Sequence, residues 1–189
     1  MKFFSLFSSI GFSKTYLLGP DGGGDALLID PGAFDAPLLQ AVEGNHLYIR
    51  SILVTHAHNA HINGIRSLLK VYAADIYANQ PSVLDVPARH IAEGDVLELG
   101  EFRVRVIETP GHSIDSLSFL IGHMLFTGDT LSAGSTGTTR DGYARGLLLD
   151  MVRRKLLPLG DETLLFPGHG PPSKIGIEKL YNPFLGEKL

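Results

Sequence analysis

Thr55-His56-Ala57-His58-Asn59-Ala60-His61 is the stretch whose reading decides the fold. It follows the apolar run Ile52-Leu53-Val54, and it holds three of the chain's eight histidines. Further on, the same arrangement recurs. Val104–Ile107 leads into Thr109-Pro110-Gly111-His112, Met124–Phe126 into Thr127-Gly128-Asp129-Thr130, and Leu164–Phe166 into Pro167-Gly168-His169-Gly170-Pro171. Each is a short apolar strand, then small or turn-forming residues, then a ligand-type side chain. Strand ends are rigid, and Thr, Gly and Pro let the following loop turn tightly toward a shared point. A lone histidine near a strand end is ordinarily a hydrogen-bonded surface residue, and His46, His90 and His123 are read so. Three histidines so close together, with three more strand-end ligands downstream, point to a metal site.

Composition narrows the chemistry. The chain has 189 residues and no cysteine, which excludes disulfides, thiolate metal sites and a cysteine nucleophile. Any transition metal must be held by imidazole and carboxylate. A net charge of −4 gives no basic surface for nucleic acid or anionic membrane. No apolar run approaches the ~20 residues that span a bilayer. Met1-Lys2-Phe3-Phe4-Ser5-Leu6-Phe7-Ser8 is interrupted by serines and lacks a small-x-small cleavage site, so it is read as a first strand of a cytoplasmic protein. The partner expected is a small-molecule substrate, with no nucleic acid and no membrane; oligomeric state is left open.

Strands are expected at Phe3–Ile10, Thr15–Leu18, Ala26–Ile29, Ile52–Thr55, Asp75–Ala78, Val96–Leu99, Phe102–Glu108, Ser116–Ile121, Met124–Thr127 and Thr163–Phe166. Asp35 caps a short helix whose Leu38, Leu39 and Val42 face the core. Ile62, Ile65, Leu69 and Tyr72 recur at helical spacing, and so do Leu148, Val152 and Leu156 within a helix over about 143–157. A terminal helix is expected at Ile175–Tyr181. Residues 1–189 read as one α+β domain.

The sequence resembles the metallo-β-lactamase fold superfamily, whose HxHxDH motif and later His, Asp and His build a dinuclear metal centre. Leu28-Ile29-Asp30-Pro31-Gly32, Thr109-Pro110-Gly111-His112-Ser113, Phe126-Thr127-Gly128-Asp129-Thr130 and Pro167-Gly168-His169-Gly170-Pro171 carry the likeness. That last segment and Asn182-Pro183-Phe184-Leu185 resemble the short glyoxalase-II-like (hydroxyacylglutathione hydrolase-like) branch. The resemblance implies a four-layered αββα sandwich. It implies His56, His58 and His112 at one metal, His61 and His169 at a second, and Asp129 bridging both beside a metal-bound hydroxide. Zinc, one ion or two, is the metal implied for a hydrolase of a small ester, thioester or lactone.

One position breaks the family pattern. Ala60 stands where the motif has Asp, so the second site loses an anionic ligand while the first keeps its full set. Two other readings follow. One is a mononuclear iron enzyme resembling persulfide dioxygenases, with His56, His112 and Asp129 as a two-His, one-carboxylate face suited to Fe(II). The other is a degenerate relative that binds metal or senses a ligand without catalysis.

Overall fold

The computed structural model describes residues Met1–Leu185, which fall into two compact units. One comprises Met1–Ile91 with Leu97–Arg103; the other comprises Ala92–Val96 with the chain from Val104 onward.

The first unit opens with β1 (Lys2–Phe7), β2 (Lys14–Gly19), β3 (Gly24–Ile29), α1 (Ala36–Glu43) and β4 (Leu47–Leu53). It continues through α2 (Asn59–Ile62), α3 (Ile65–Leu68), β5 (Asp75–Ala78), β6 (Ser82–Val83), β7 (Val86–Pro87) and β8 (Arg89–His90). Its main sheet has the order β1-β2-β3-β4-β5-β8. The hairpin pair β1/β2 and the pair β2/β3 are antiparallel, with Tyr16 opposite Ile29. From β3 onward the pairs are parallel, with Ile52 opposite both Leu28 and Ile76. Parallel neighbours need a crossover, and helices normally supply it. Here α1 links β3 to β4, and α2 with α3 links β4 to β5.

Asp35 caps α1 as expected, its carboxylate accepting from Leu38 N–H at 3.2 Å. Leu38 and Val42 of α1 join Leu17, Leu28, Ile52, Ile65 and Leu68 in one buried cluster. Of the helix expected from Ile62 to Tyr72, only Ile62, at the end of α2, and Ile65–Leu68, as α3, are helical; the chain breaks at Asn63-Gly64 and leaves the helix after Leu68. The break has a packing cause. Gly64 N–H donates to Pro31 O at 2.9 Å, and a Cβ at Gly64 would lie 2.6 Å from the Ala33 carbonyl carbon.

The remaining strands are β9 (Val96–Leu99), β10 (Phe102–Glu108), β11 (Leu117–Ile121), β12 (Met124–Gly128), β13 (Leu131–Ser132) and β14 (Ser135–Thr136). Then come α4 (Gly142–Met151), β15 (Leu164–Pro167), β16 (Ser173–Lys174) and α5 (Ile175–Tyr181). The sheet runs β16-β15-β12-β11-β10-β9, and β12 pairs parallel with β15 across the α4 crossover. Leu148, Val152 and Leu156 are buried together with Leu125, Leu165 and Ile175. The helix expected over 143–157 is α-helical only to Met151; Val152–Leu156 widens to a π turn and Leu157–Leu159 tightens to a 3₁₀ turn. An i, i+4, i+8 stripe drifts by roughly 40° per step at 3.6 residues per turn. The wider turn keeps all three side chains on the core, and the helical segment stops at Gly160, whose φ is 104°. Among the described residues no helix is long and apolar enough to cross a membrane.

Candidate metal centre

In the first unit the parallel strands β3 and β4 end side by side, and a potential ligand follows each. Directly after β3 comes Asp30, 2% exposed and left-handed at φ 51°. Its short polar side chain tolerates that conformation better than most residues. Thr15 Oγ1 holds the Asp30 carbonyl at 2.7 Å. The carboxylate accepts from Thr55 N–H at 2.8 Å, Thr55 Oγ1–H at 2.6 Å and His61 Nδ1–H at 2.9 Å. Because the single Thr55 hydroxyl proton goes to Asp30, Thr55 Oγ1 can only accept from His56 Nδ1–H, 3.0 Å away. Both imidazoles are thereby fixed with the proton on Nδ1 and the lone pair on Nε2, the form that binds a metal.

The rings are close together. His56 lies 4.6 Å from His58 and 4.2 Å from His61, centroid to centroid. His56 and His61 are buried and His58 is exposed. This loop is held by backbone contacts that leave no room for side chains. A Cβ on Gly11 would sit 2.5 Å from the Ala60 Cβ, and one on Gly32 would sit 2.1 Å from the Ala60 carbonyl oxygen. Ser13 Oγ donates to that same carbonyl at 2.5 Å. The methyl of Ala60 therefore packs directly on the turn between β1 and β2.

In the second unit Asp129 lies between two histidines. Its Oδ1 accepts from His169 Nδ1 at 2.6 Å, and its Oδ2 lies 3.6 Å from His112 Nε2. His112 Nδ1–H donates to the Thr138 carbonyl at 2.7 Å, so it too presents the lone pair at Nε2. These three residues, with Gly128, Ser132, Thr136, Gly137 and Thr138, line a cavity of about 300 Å³. Gly137 is pressed against Asp129: a Cβ there would lie 1.8 Å from the Asp129 carbonyl oxygen.

All six residues singled out in the sequence thus fall into two clusters, His56-His58-His61 and His112-Asp129-His169. Imidazole Nε2 lone pairs with an adjacent carboxylate are the donors that borderline divalent ions prefer. The residues present therefore fit a metal. His46, His90 and His123 are exposed, as expected of surface histidines. Asp30 was not singled out as a site residue, although it obeys the same grammar of a strand followed by a ligand-type side chain, after Ala26–Ile29. Asp-Pro-Gly also spells an ordinary turn, and that masked it. The Thr138 carbonyl is a backbone group and leaves no mark in residue types.

The model of the Metallo-beta-lactamase superfamily matches residues 9–83 and 80–169. The chain belongs to that superfamily. It is 36% identical over 152 residues to a hydroxyacylglutathione hydrolase of Hahella chejuensis, covering 77% of this chain and 57% of that protein. It is 30% identical over 190 residues to the hydroxyacylglutathione hydrolase GloC of Haemophilus influenzae, covering 87% of this chain and 89% of the relative. Among solved structures, ETHE1 from Myxococcus xanthus superposes with a TM-score of 0.89 at 32% identity, over 100% of this chain and 86% of that one. TTHA1623 in a di-iron-bound form gives 0.81 at 30% identity, over 96% and 100%. The metallo-β-lactamase fold expected from the sequence is the fold found.

Proposed function

We propose that the protein is a metal-dependent hydrolase of a small ester, thioester or lactone. In this reading His56, His58, His112 and Asp129 hold one zinc ion, and His61, His169 and Asp129 a second, weaker one. The observation that carries it is the protonation pattern: Asp30, Thr55 and Thr138 hold His56, His61 and His112 with Nε2 as the lone pair. Similarity to two hydroxyacylglutathione hydrolases supports the reaction class. A bound divalent ion supplies a water of lowered pKa and polarises a substrate carbonyl.

The chain's own groups do the rest. Asp30 keeps two ligand rings oriented before any ion arrives, which lowers the cost of ordering them. Asp129 offers one oxygen on each side. The hydroxyls of Ser132 and Thr136 on the cavity wall can bond the polar part of an acyl group.

A second reading is an iron oxygenase resembling persulfide dioxygenases, using His56, His112 and Asp129. Ala60 favours it, because loss of an anionic ligand at the second site leaves that mononuclear face untouched. Elemental analysis of protein purified without chelator, run beside a thioester and lactone panel, separates the readings. Close to two zinc ions per chain with turnover supports the hydrolase, and close to one iron supports the oxygenase. Protein without metal or turnover supports the degenerate relative.

A further inference from the structure

Glu178 of α5 is a carboxylate buried to 1% exposure, outside both clusters. Its Oε2 accepts from Gly134 N–H at 2.9 Å and from Asn182 Nδ2 at 2.7 Å, and its Oε1 accepts from Ser173 Oγ at 2.5 Å. Asn182, itself 3% exposed, also donates from Nδ2 to Ser135 O at 3.1 Å. Together the two side chains grip the β13–β14 hairpin by one N–H and one carbonyl. That hairpin has only two residue pairs, Leu131 with Thr136 and Ser132 with Ser135. A ladder so short has little stability of its own. Gly134, at φ +66°, completes its turn.

What the hairpin carries explains the grip. Ser132 and Thr136 wall the cavity beside His112, Asp129 and His169. Two residues beyond Thr136, the Thr138 carbonyl receives the Nδ1 proton of His112. Between them Gly137 lies against the Asp129 backbone.

We infer that Glu178 is a positioning residue: through Gly134 and the strand to Thr138 it sets the orientation of His112 and the cavity wall. A merely structural role accounts for less. Ile175 already anchors α5 in the core, and Lys179–Asp161 and Lys174–Glu162 pairs tie its segment down at the surface. An apolar side chain at 178 would hold the helix without the cost of burying a charge. A carboxylate there gains its use from the three donors it gathers, and the Gly134 N–H lies on the path to the site.

This rests on the metal-centre reading for its consequence but not for its geometry, and the test separates the two. Glu178→Leu and Glu178→Gln are compared with the parent. Glutamine can keep every contact: its oxygen faces Gly134 and Asn182, and its amide donates to a Ser173 hydroxyl that turns to accept. The readout is the ¹⁵N and ¹H NMR signals of the His112 imidazole, in protein as purified and after chelation, followed by zinc affinity from chelator competition. Expected are a Glu178→Leu protein whose His112 Nδ1–H signal is shifted or lost and whose zinc Kd rises about 10-fold or more, and a Glu178→Gln protein close to the parent in both. A folded Glu178→Leu protein with His112 signals unchanged overturns the inference. If that variant does not fold, Asn182→Ala takes its place with the same two outcomes for His112. Failure of the parent to bind zinc bears on the metal proposal alone, because the His112 signals are read without metal.

Discussion

Replacing Asp30 by Asn removes a charge and exchanges an acceptor for a donor, with almost no change of shape. The consequence follows atom by atom. If the amide oxygen takes the Oδ1 place, it still accepts from Thr55 N–H, and the NH₂ then faces both Thr55 Oγ1 and His61 Nδ1. His61 can receive that proton only by moving its own to Nε2. Thr55 must turn to accept from the NH₂ and donate its hydroxyl proton to His56, which drives the His56 proton to Nε2 as well. The opposite amide orientation sets NH₂ against the Thr55 N–H, leaving a buried donor without an acceptor at about 1–3 kcal/mol. One substitution that touches no metal thus turns two ligand rings into the wrong tautomer. Loss of such outer partners ordinarily weakens a metal site about 10–100-fold, equivalent to about 1.4–2.7 kcal/mol. With two rings affected, the upper half of that range is expected. Chelator competition gives the zinc Kd, and ¹⁵N spectra of the imidazoles give the tautomers. Zinc affinity within about threefold of the parent, with His56 and His61 still protonated at Nδ1, would refute the reasoning.

Ala60→Asp is expected to raise zinc bound per chain and thioester turnover together if the Gly11 turn, on which the Ala60 methyl packs, gives way to the longer side chain; elemental analysis with a hydrolysis assay checks it, and no rise in either would show that the second site is lost beyond position 60. Leu148→Ala, at a side chain with no exposed surface in the core of the second unit, should cost about 2–5 kcal/mol in urea unfolding. Asp141 caps α4 by accepting from Ala144 N–H at 2.8 Å, and that bond holds its pKa below the usual 3.8. A depressed folded-state pKa stabilises the fold above the unfolded-state value and loses that stabilisation as pH falls through the folded one. Asp141→Ala should therefore lower Tm at neutral pH, and the gap from the parent should close in acid below the carboxylate range.

The two candidate clusters were legible in the sequence because histidine triplets and strand-end ligands are rare by chance, so residue type and placement after apolar runs brought His56, His58, His61, His112, Asp129 and His169 forward. Longer strands were legible for a similar reason: β5, β9 and β10 follow apolar runs bounded by turn residues. β4 was seen only from Ile52, although Leu47, Ile49 and Ser51 are buried in alternation with exposed Tyr48 and Arg50. The polar members of that period-two pattern hid its first half. The two-residue strands β13, β14 and β16 have no periodicity to read; they exist because Glu178, Asn182 and neighbouring strands hold them. The π turn at Val152–Leu156 is equally silent, since its cause is the core that Leu148, Val152 and Leu156 share. The supporting partners, Asp30, Thr138 and Glu178, are defined by what they touch, and contacts across many residues of sequence leave no local pattern.

The glycines at 11, 32 and 64 have a consequence for how the protein can vary. None has a side chain that could hold a metal, yet each meets the histidine loop or its support at a distance that admits only hydrogen. In a saturation library scored for activity, these three positions should be as intolerant as the ligands themselves, with alanine failing as surely as tryptophan. The histidine positions should behave differently, with partial rescue by other metal-binding side chains. A map of tolerated substitutions would therefore show two kinds of invariance around one loop, one imposed by chemistry and one by lack of space.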